Sequence, residues 1–232
     1  MRRALWIAVI FLAFIGVAVA ARRIAVLVPV ALHGYHPAAE PRSARAAQFG
    51  NLDGLFARYP FLTLVHIIPG VLFMILGPLQ FSATIRARHL RWHRWSGRVF
   101  VVSALIIGIS ALVMSFAMPA IGGVNQAAAT TLFSILFLIA LCKAFWHIRR
   151  REIALHREWM IRAFAIGLAV ATIRPIVGIF FATSPLTHLS PHEFFGIAFW
   201  IGFTLHLIAA EAWIRMTAPQ FARVGILAQD RQ

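Results

Sequence analysis

Charge is what this sequence has least of. Asp, Glu, Lys and Arg make up 12% of its 232 residues, where a soluble domain carries about 25%. That is too little to cover a water-facing surface. The acids number seven, and outside the basic motif loops only Glu193 and Glu211 lie in or beside apolar runs. A carboxylate-driven ion pump has little material to work with. Cys142 is the one cysteine, which excludes an intrachain disulfide and a Cys₄ iron–sulfur cluster within the chain. There is no P-loop, no Rossmann fingerprint, no His-Glu-x-x-His and no nucleophile elbow, so the best-marked catalytic classes lack their signatures.

What the sequence has is hydrophobic length. Apolar residues make up 61% of the chain and the mean hydropathy is +0.81. Six runs, at 4–21, 61–82, 97–118, 128–148, 159–183 and 194–214, approach or exceed the roughly 20 residues that cross a bilayer as helix. They are continuously apolar rather than alternating, which predicts helices and not a barrel. Pro60, Met118-Pro119, Gly122-Gly123, Ser184-Pro185 and Ser190-Pro191 punctuate them. The expected fold is an all-α polytopic bundle of about six spans.

The net charge of +15 would suggest nucleic acid in a soluble protein. Here the basic residues sit between apolar runs, so we read them as topology signals and expect a lipid bilayer, not nucleic acid, as partner. With the N-terminus inside, sixteen Lys and Arg fall on the cytoplasmic side, five fall outside, and Arg174 lies within a span. This bias predicts both termini inside. Arg22 and Arg23 are the discordant pair. Residues 1–28 read as an anchor span, although Ala18-Val19-Ala20 also fits a signal-peptide cleavage site. Residues 29–60 read as an outer loop with His33 and His36, 61–216 as a five-span domain, and 217–232 as a cytoplasmic tail.

Two stretches resemble each other. His93-Arg94-Trp95 with Arg98, and His156-Arg157-Glu158-Trp159 with Arg162, each follow a basic loop and enter a span. The pattern suggests two repeated helical hairpins. Interface anchoring and the positive-inside rule explain the tryptophans and arginines. They do not explain a histidine at the same place in both hairpins. At about 100° per residue, His93 shares a stripe with Gly97, Ala104 and Gly108, His156 with Ala163 and Gly167, and His66 with Gly70, Phe73, Gly77 and Gln80. Small residues mark helix seams, so all three histidines are expected at helix interfaces, as hydrogen-bonded packing groups or as ligands. His93 and His156 lie near the same membrane face, with His89 and His147 as alternatives. His66 lies near the opposite face, with His188, His192 or the His33/His36 loop as possible partners, and His206 lies deeper. Arg174, before Pro175, sits about two-thirds across its span and needs an anion, carbonyls or a polar cavity. Glu193 is its expected structural partner. Glu211 is placed to pair with Arg215 at i+4.

The series His66-x-x-x-Gly70, Gly77-Pro78-Leu79-Gln80-Phe81, His93-Arg94-Trp95-x-Gly97-Arg98, His156-Arg157-Glu158-Trp159-Met160-x-Arg162 and Arg174 resembles a bacterial family of predicted membrane proteins of unknown function. The likeness covers roughly residues 60–180. It implies a multi-pass protein of the bacterial cytoplasmic (inner) membrane and supplies no activity. The order His66, Gly70, Gln80, His93, Gly97 is more weakly similar to transmembrane b-type cytochromes, though the fourth span has no outer histidine to pair with His66. The leading expectation is a haem b-binding electron-transfer or reductase protein, with His93 and His156 as iron ligands, His66 as a further cofactor residue, Gly97 and Gly167 making room for the macrocycle, and Arg98, Arg162 and Arg174 for propionates. The competing expectations are a carrier or binder of a small molecule or lipid at Arg174, and a structural or accessory protein whose histidines only pack.

Overall fold

The computed structural model describes the backbone of residues 2–34 and 54–229, with side chains described up to residue 217. Most of the expected outer loop, with His36, lies outside the described residues. Among the described residues the main helices are, in order, α1 Arg2–His33, α2 Pro60–Phe81, α3 Ala83–Arg88, α4 Leu90–Ala117, α5 Gly123–Arg149, α6 Ile153–Thr187 and α7 Pro191–Gln229. Among the described residues there is no strand. All but the short α3 are long and apolar enough to cross a membrane. Large apolar side chains point outward on them, including Phe14 at 68% and Phe116 at 78% exposure, as a lipid-solvated surface requires. The chain divides into two compact units, Met1–Gly123 and Val124–Gln232.

In the first unit, α1 is longer than its expected apolar run. It continues unbroken through Arg22 and Arg23 to His33, because residues 24–32 are again apolar and Pro29 falls in the last turns. Gly34 ends it at φ +86°, a left-handed value that costs glycine nothing, and its N–H returns to the Val30 carbonyl at 2.9 Å. Arg23 is buried with its guanidinium 4.4 Å from the Phe56 ring centre, so a cation–π contact covers this charge. α1 packs on α2, where Gly16 faces Met74.

α2 opens with Pro60 at its first position, where a missing N–H costs nothing. It then pairs antiparallel with α4. On α2 the seam contacts recur every seven residues: His66 meets Ser110, Phe73 stacks on Phe100 at 4.7 Å, and Gln80 meets Ser96. Both phenylalanines are fully buried. Ser82 caps the short α3 that links the two helices.

In the second unit, α6 and α7 form a long antiparallel pair. Arg157 meets Thr217, Arg162 meets Glu211, Thr172 meets His206, and Phe180 stacks on Phe194. Gly202 sits against Ile173. α5 packs on α7 through Phe133, stacked 4.7 Å from Phe203, and through Asn125, which accepts the Trp200 indole N–H at 2.8 Å. The α5–α6 turn places Arg151 at φ 63°. It is held by a hydrogen bond between the His147 ring and the Glu152 carboxylate. His188, at φ 55°, ends α6 with its N–H on the Ser184 carbonyl.

Candidate functional site

The candidate residues distribute over both units. His66, His93 and Arg98 belong to the first; His156, Arg162 and Arg174 belong to the second.

In the first unit, the α2 stripe read from the sequence is the face that packs. Ser110 donates its hydroxyl proton to the Ile106 carbonyl at 2.6 Å. Its oxygen therefore accepts from His66 Nδ1–H, at 2.9 Å, and the tautomer leaves Nε2 as the lone-pair nitrogen. One end of the seam repeats the device. Ser96 donates to the Trp92 carbonyl at 2.6 Å and accepts from Gln80 Nε2 at 2.7 Å. These serines were not singled out in the sequence, although Ser96, Ser103 and Ser110 recur every seven residues and all are buried. Gly97 is packed by the Gln80 amide, whose oxygen lies 3.1 Å from where a Cβ would stand. The room expected for a macrocycle there is taken by a side chain. His93 is half-buried, on the α4 face that carries the buried Phe100 and Ala104. Arg98 is exposed, and helix geometry puts it roughly 140° around α4 from His93.

In the second unit, His156 Nδ1–H donates to the Ala144 carbonyl of α5 at 2.8 Å. A carbonyl only accepts, so the proton is on Nδ1, and Nε2 carries the lone pair that would ligate a metal. Metal-bound histidines are oriented in this way, by a donor bond from the other ring nitrogen. His156 therefore fits the role of an iron ligand.

Arg162 is occupied. Its Nε and Nη2 bind the two Glu211 oxygens at 2.5 and 3.1 Å, and Glu158 lies 3.9 Å away. Its guanidinium also lies 4.6 Å from the Trp159 ring centre, and Lys143 lies 4.5 Å from the same centre. A propionate would have to displace Glu211 to reach it. Arg215, the expected partner of Glu211, stays within electrostatic reach of it, while the hydrogen-bonded pair runs across α6 and α7, because a planar guanidinium takes both oxygens of a carboxylate. Arg174 is exposed on α6, beside buried Ile173. Glu193 Oε2 accepts from the Ser190 N–H and hydroxyl at 2.8 and 2.7 Å, closing the start of α7. His206 bonds Thr172 Oγ1 at 2.7 Å. α7 also carries an open groove of about 520 Å³, lined by Thr204, Leu207, Ile208, Glu211, Ala212 and Arg215.

Among the described residues no three His, Cys, Asp or Glu side chains gather to hold a metal ion. A structural zinc site would need four such ligands, whereas a haem needs two at most.

Fold and composition define a polytopic α-helical membrane protein. Within that class the chain belongs to the DUF2306 family of predicted membrane proteins, whose model matches residues 63–214. The match starts after α1 and takes in all the candidate residues. No curated protein and no solved structure matches the chain.

Proposed function

We propose that the protein binds haem b and serves electron transfer or reduction in the membrane, with His156 and His93 each a candidate iron ligand within its own unit. One observation carries the reading: the His156 Nδ1–H bond to the Ala144 carbonyl, which orients the ring with Nε2 as ligand atom. His93 is its counterpart in the repeated motif, on the packing face of α4. A bound haem b would supply one-electron chemistry, at a potential set by its axial ligands and burial. The chain's own contribution is to hold the two imidazoles and exclude water with apolar helices. Arg98 and Arg162 are not needed in this reading, since the first lies off the His93 face and the second is held by Glu211.

The test is the absorption spectrum of detergent-purified protein expressed with ample haem, oxidised and then reduced with dithionite. A Soret band with sharp reduced α and β bands is expected in the wild type and in His206→Ala. It should be lost in His93→Ala and in His156→Ala. No haem in the wild type, or a spectrum unchanged in either ligand variant, overturns the proposal.

A second reading rests on Arg174. A guanidinium exposed on a membrane helix offers positive charge where ionisable groups are often functional, which suits a carrier or binder of an anionic small molecule. Ligand binding that survives Arg174→Leu, in a variant that still folds, would remove it.

A further inference from the structure

The two motif copies differ in how their arginines are neutralised. In the second, Arg162 is matched by Glu211 and Glu158, while Arg157 donates a hydrogen bond to the Thr217 hydroxyl. Among the described residues no carboxylate is paired with the arginines of the first copy. No Asp or Glu occurs from residue 54 to residue 151. The four described glutamates are engaged elsewhere: Glu152 with His147, Glu158 and Glu211 with Arg162, and Glu193 with Ser190.

Helix geometry then sorts α4 into two faces. At about 100° per residue, Arg91, Arg94 and Arg98 fall within roughly 60° of one another, and Trp95 joins them within a sector of roughly 100°. The same sector continues along the helix through Val102, Ile109, Val113 and Phe116. All eight are exposed, with Trp95 at 63% and Phe116 at 78%. The buried residues Ser96, Phe100, Ser103, Ala104 and Ser110 occupy the opposite side. The outward face of α4 is therefore three guanidiniums within two turns, an aromatic ring at the level where tryptophans meet lipid headgroups, and then an apolar track.

We propose that this face is a binding site for an anionic phospholipid. Arg91, Arg94 and Arg98 take the phosphate, Trp95 packs at the glycerol level, and the acyl chains lie along Val102, Ile109 and Val113. A free phosphate would use only the arginines. The apolar continuation of the same face is what commits the site to a lipid. The assignment is independent of haem binding.

The experiment reconstitutes the full chain into nanodiscs of phosphatidylcholine with a minor fraction of phosphatidylglycerol. Lipids retained on release into mild detergent are then counted by native mass spectrometry. The wild type should retain phosphatidylglycerol over phosphatidylcholine, and added salt should weaken the preference. Near a membrane surface each basic residue contributes roughly fivefold, so Arg91→Gln/Arg94→Gln/Arg98→Gln should reduce the preference by up to about a hundredfold. Arg149→Gln/Arg150→Gln/Arg151→Gln, an equal loss of charge elsewhere, should leave most of it. Equal losses in the two variants would reduce the effect to general surface charge and overturn the site. Should the α4 variant fail to fold, the wild type decides alone: no preference for phosphatidylglycerol overturns the proposal, as does a preference abolished by inorganic phosphate at equal ionic strength.

Discussion

Gly196 offers a direct test of how α5 meets α7. A Cβ on this buried residue would stand 2.7, 2.8 and 2.9 Å from Asn125 Nδ2, Cγ and Cβ. Because the Asn125 Cβ itself is in the way, a change of rotamer does not relieve the clash; the start of α5 must move. That movement breaks the 2.8 Å bond from the Trp200 indole to Asn125. Gly196→Ala gains about 1 kcal/mol of helix propensity. Against it stand about 1–3 kcal/mol of overpacking and about 0.5–1.5 kcal/mol for the hydrogen bond. The net expectation is destabilisation of roughly 0.5–3.5 kcal/mol. In an Asn125→Gly background both costs are already gone, so the same substitution should stabilise by up to about 1 kcal/mol. The assay is reversible unfolding in mixed micelles, followed by circular dichroism, for the four members of the cycle. If Gly196→Ala has the same sign and size in both backgrounds, the contact is not the one described.

The other expectations concern the remaining seams and sites. Arg162→Leu strands two carboxylates and should cost about 1–3 kcal/mol, whereas Glu211→Gln leaves Arg162 beside Glu158 and should cost about 1 kcal/mol or less; equal losses in the same unfolding assay would contradict the geometry. Phe73→Ala empties a fully buried ring from the α2–α4 seam and should cost about 3–5 kcal/mol. Phe61→Ala, at a position 69% exposed, should change stability by less than about 0.5 kcal/mol, and comparable losses would mean that the seam is misplaced. The haem spectrum of the His93 and His156 variants and the lipid selectivity of the α4 arginines stand beside these as functional tests.

The number and kind of spans were legible in the chain because a membrane imposes a one-dimensional rule. A segment that leaves water must satisfy its own backbone and be apolar along its length, and both are local properties. The stripe from His66 to Gln80 was legible for a similar reason: helix periodicity alone places residues on one face. The α4 arginine face follows from the same periodicity, once the buried side of that helix is known. The extension of α1 to His33 was missed because two arginines interrupt its hydropathy, and hydropathy does not record that Arg23 is covered by an aromatic ring.

Partnership between helices was another matter. Glu211 has Arg215 four residues along its own helix, and sequence spacing favours that local pair. The structure sets Arg162 opposite it, 49 residues away, because the antiparallel register of α6 on α7 brings both guanidinium nitrogens to both oxygens. Glu193 accepts from Ser190, since the start of α7 has N–H groups to satisfy. Ser96 and Ser110 gained their role only when α2 supplied Gln80 and His66. The sequence by itself determined what must lie in lipid, which faces each helix could offer, and which side chains need a partner there. Tertiary structure alone decided who that partner is, because register and helix order are set by packing summed over whole seams, which no local spacing encodes.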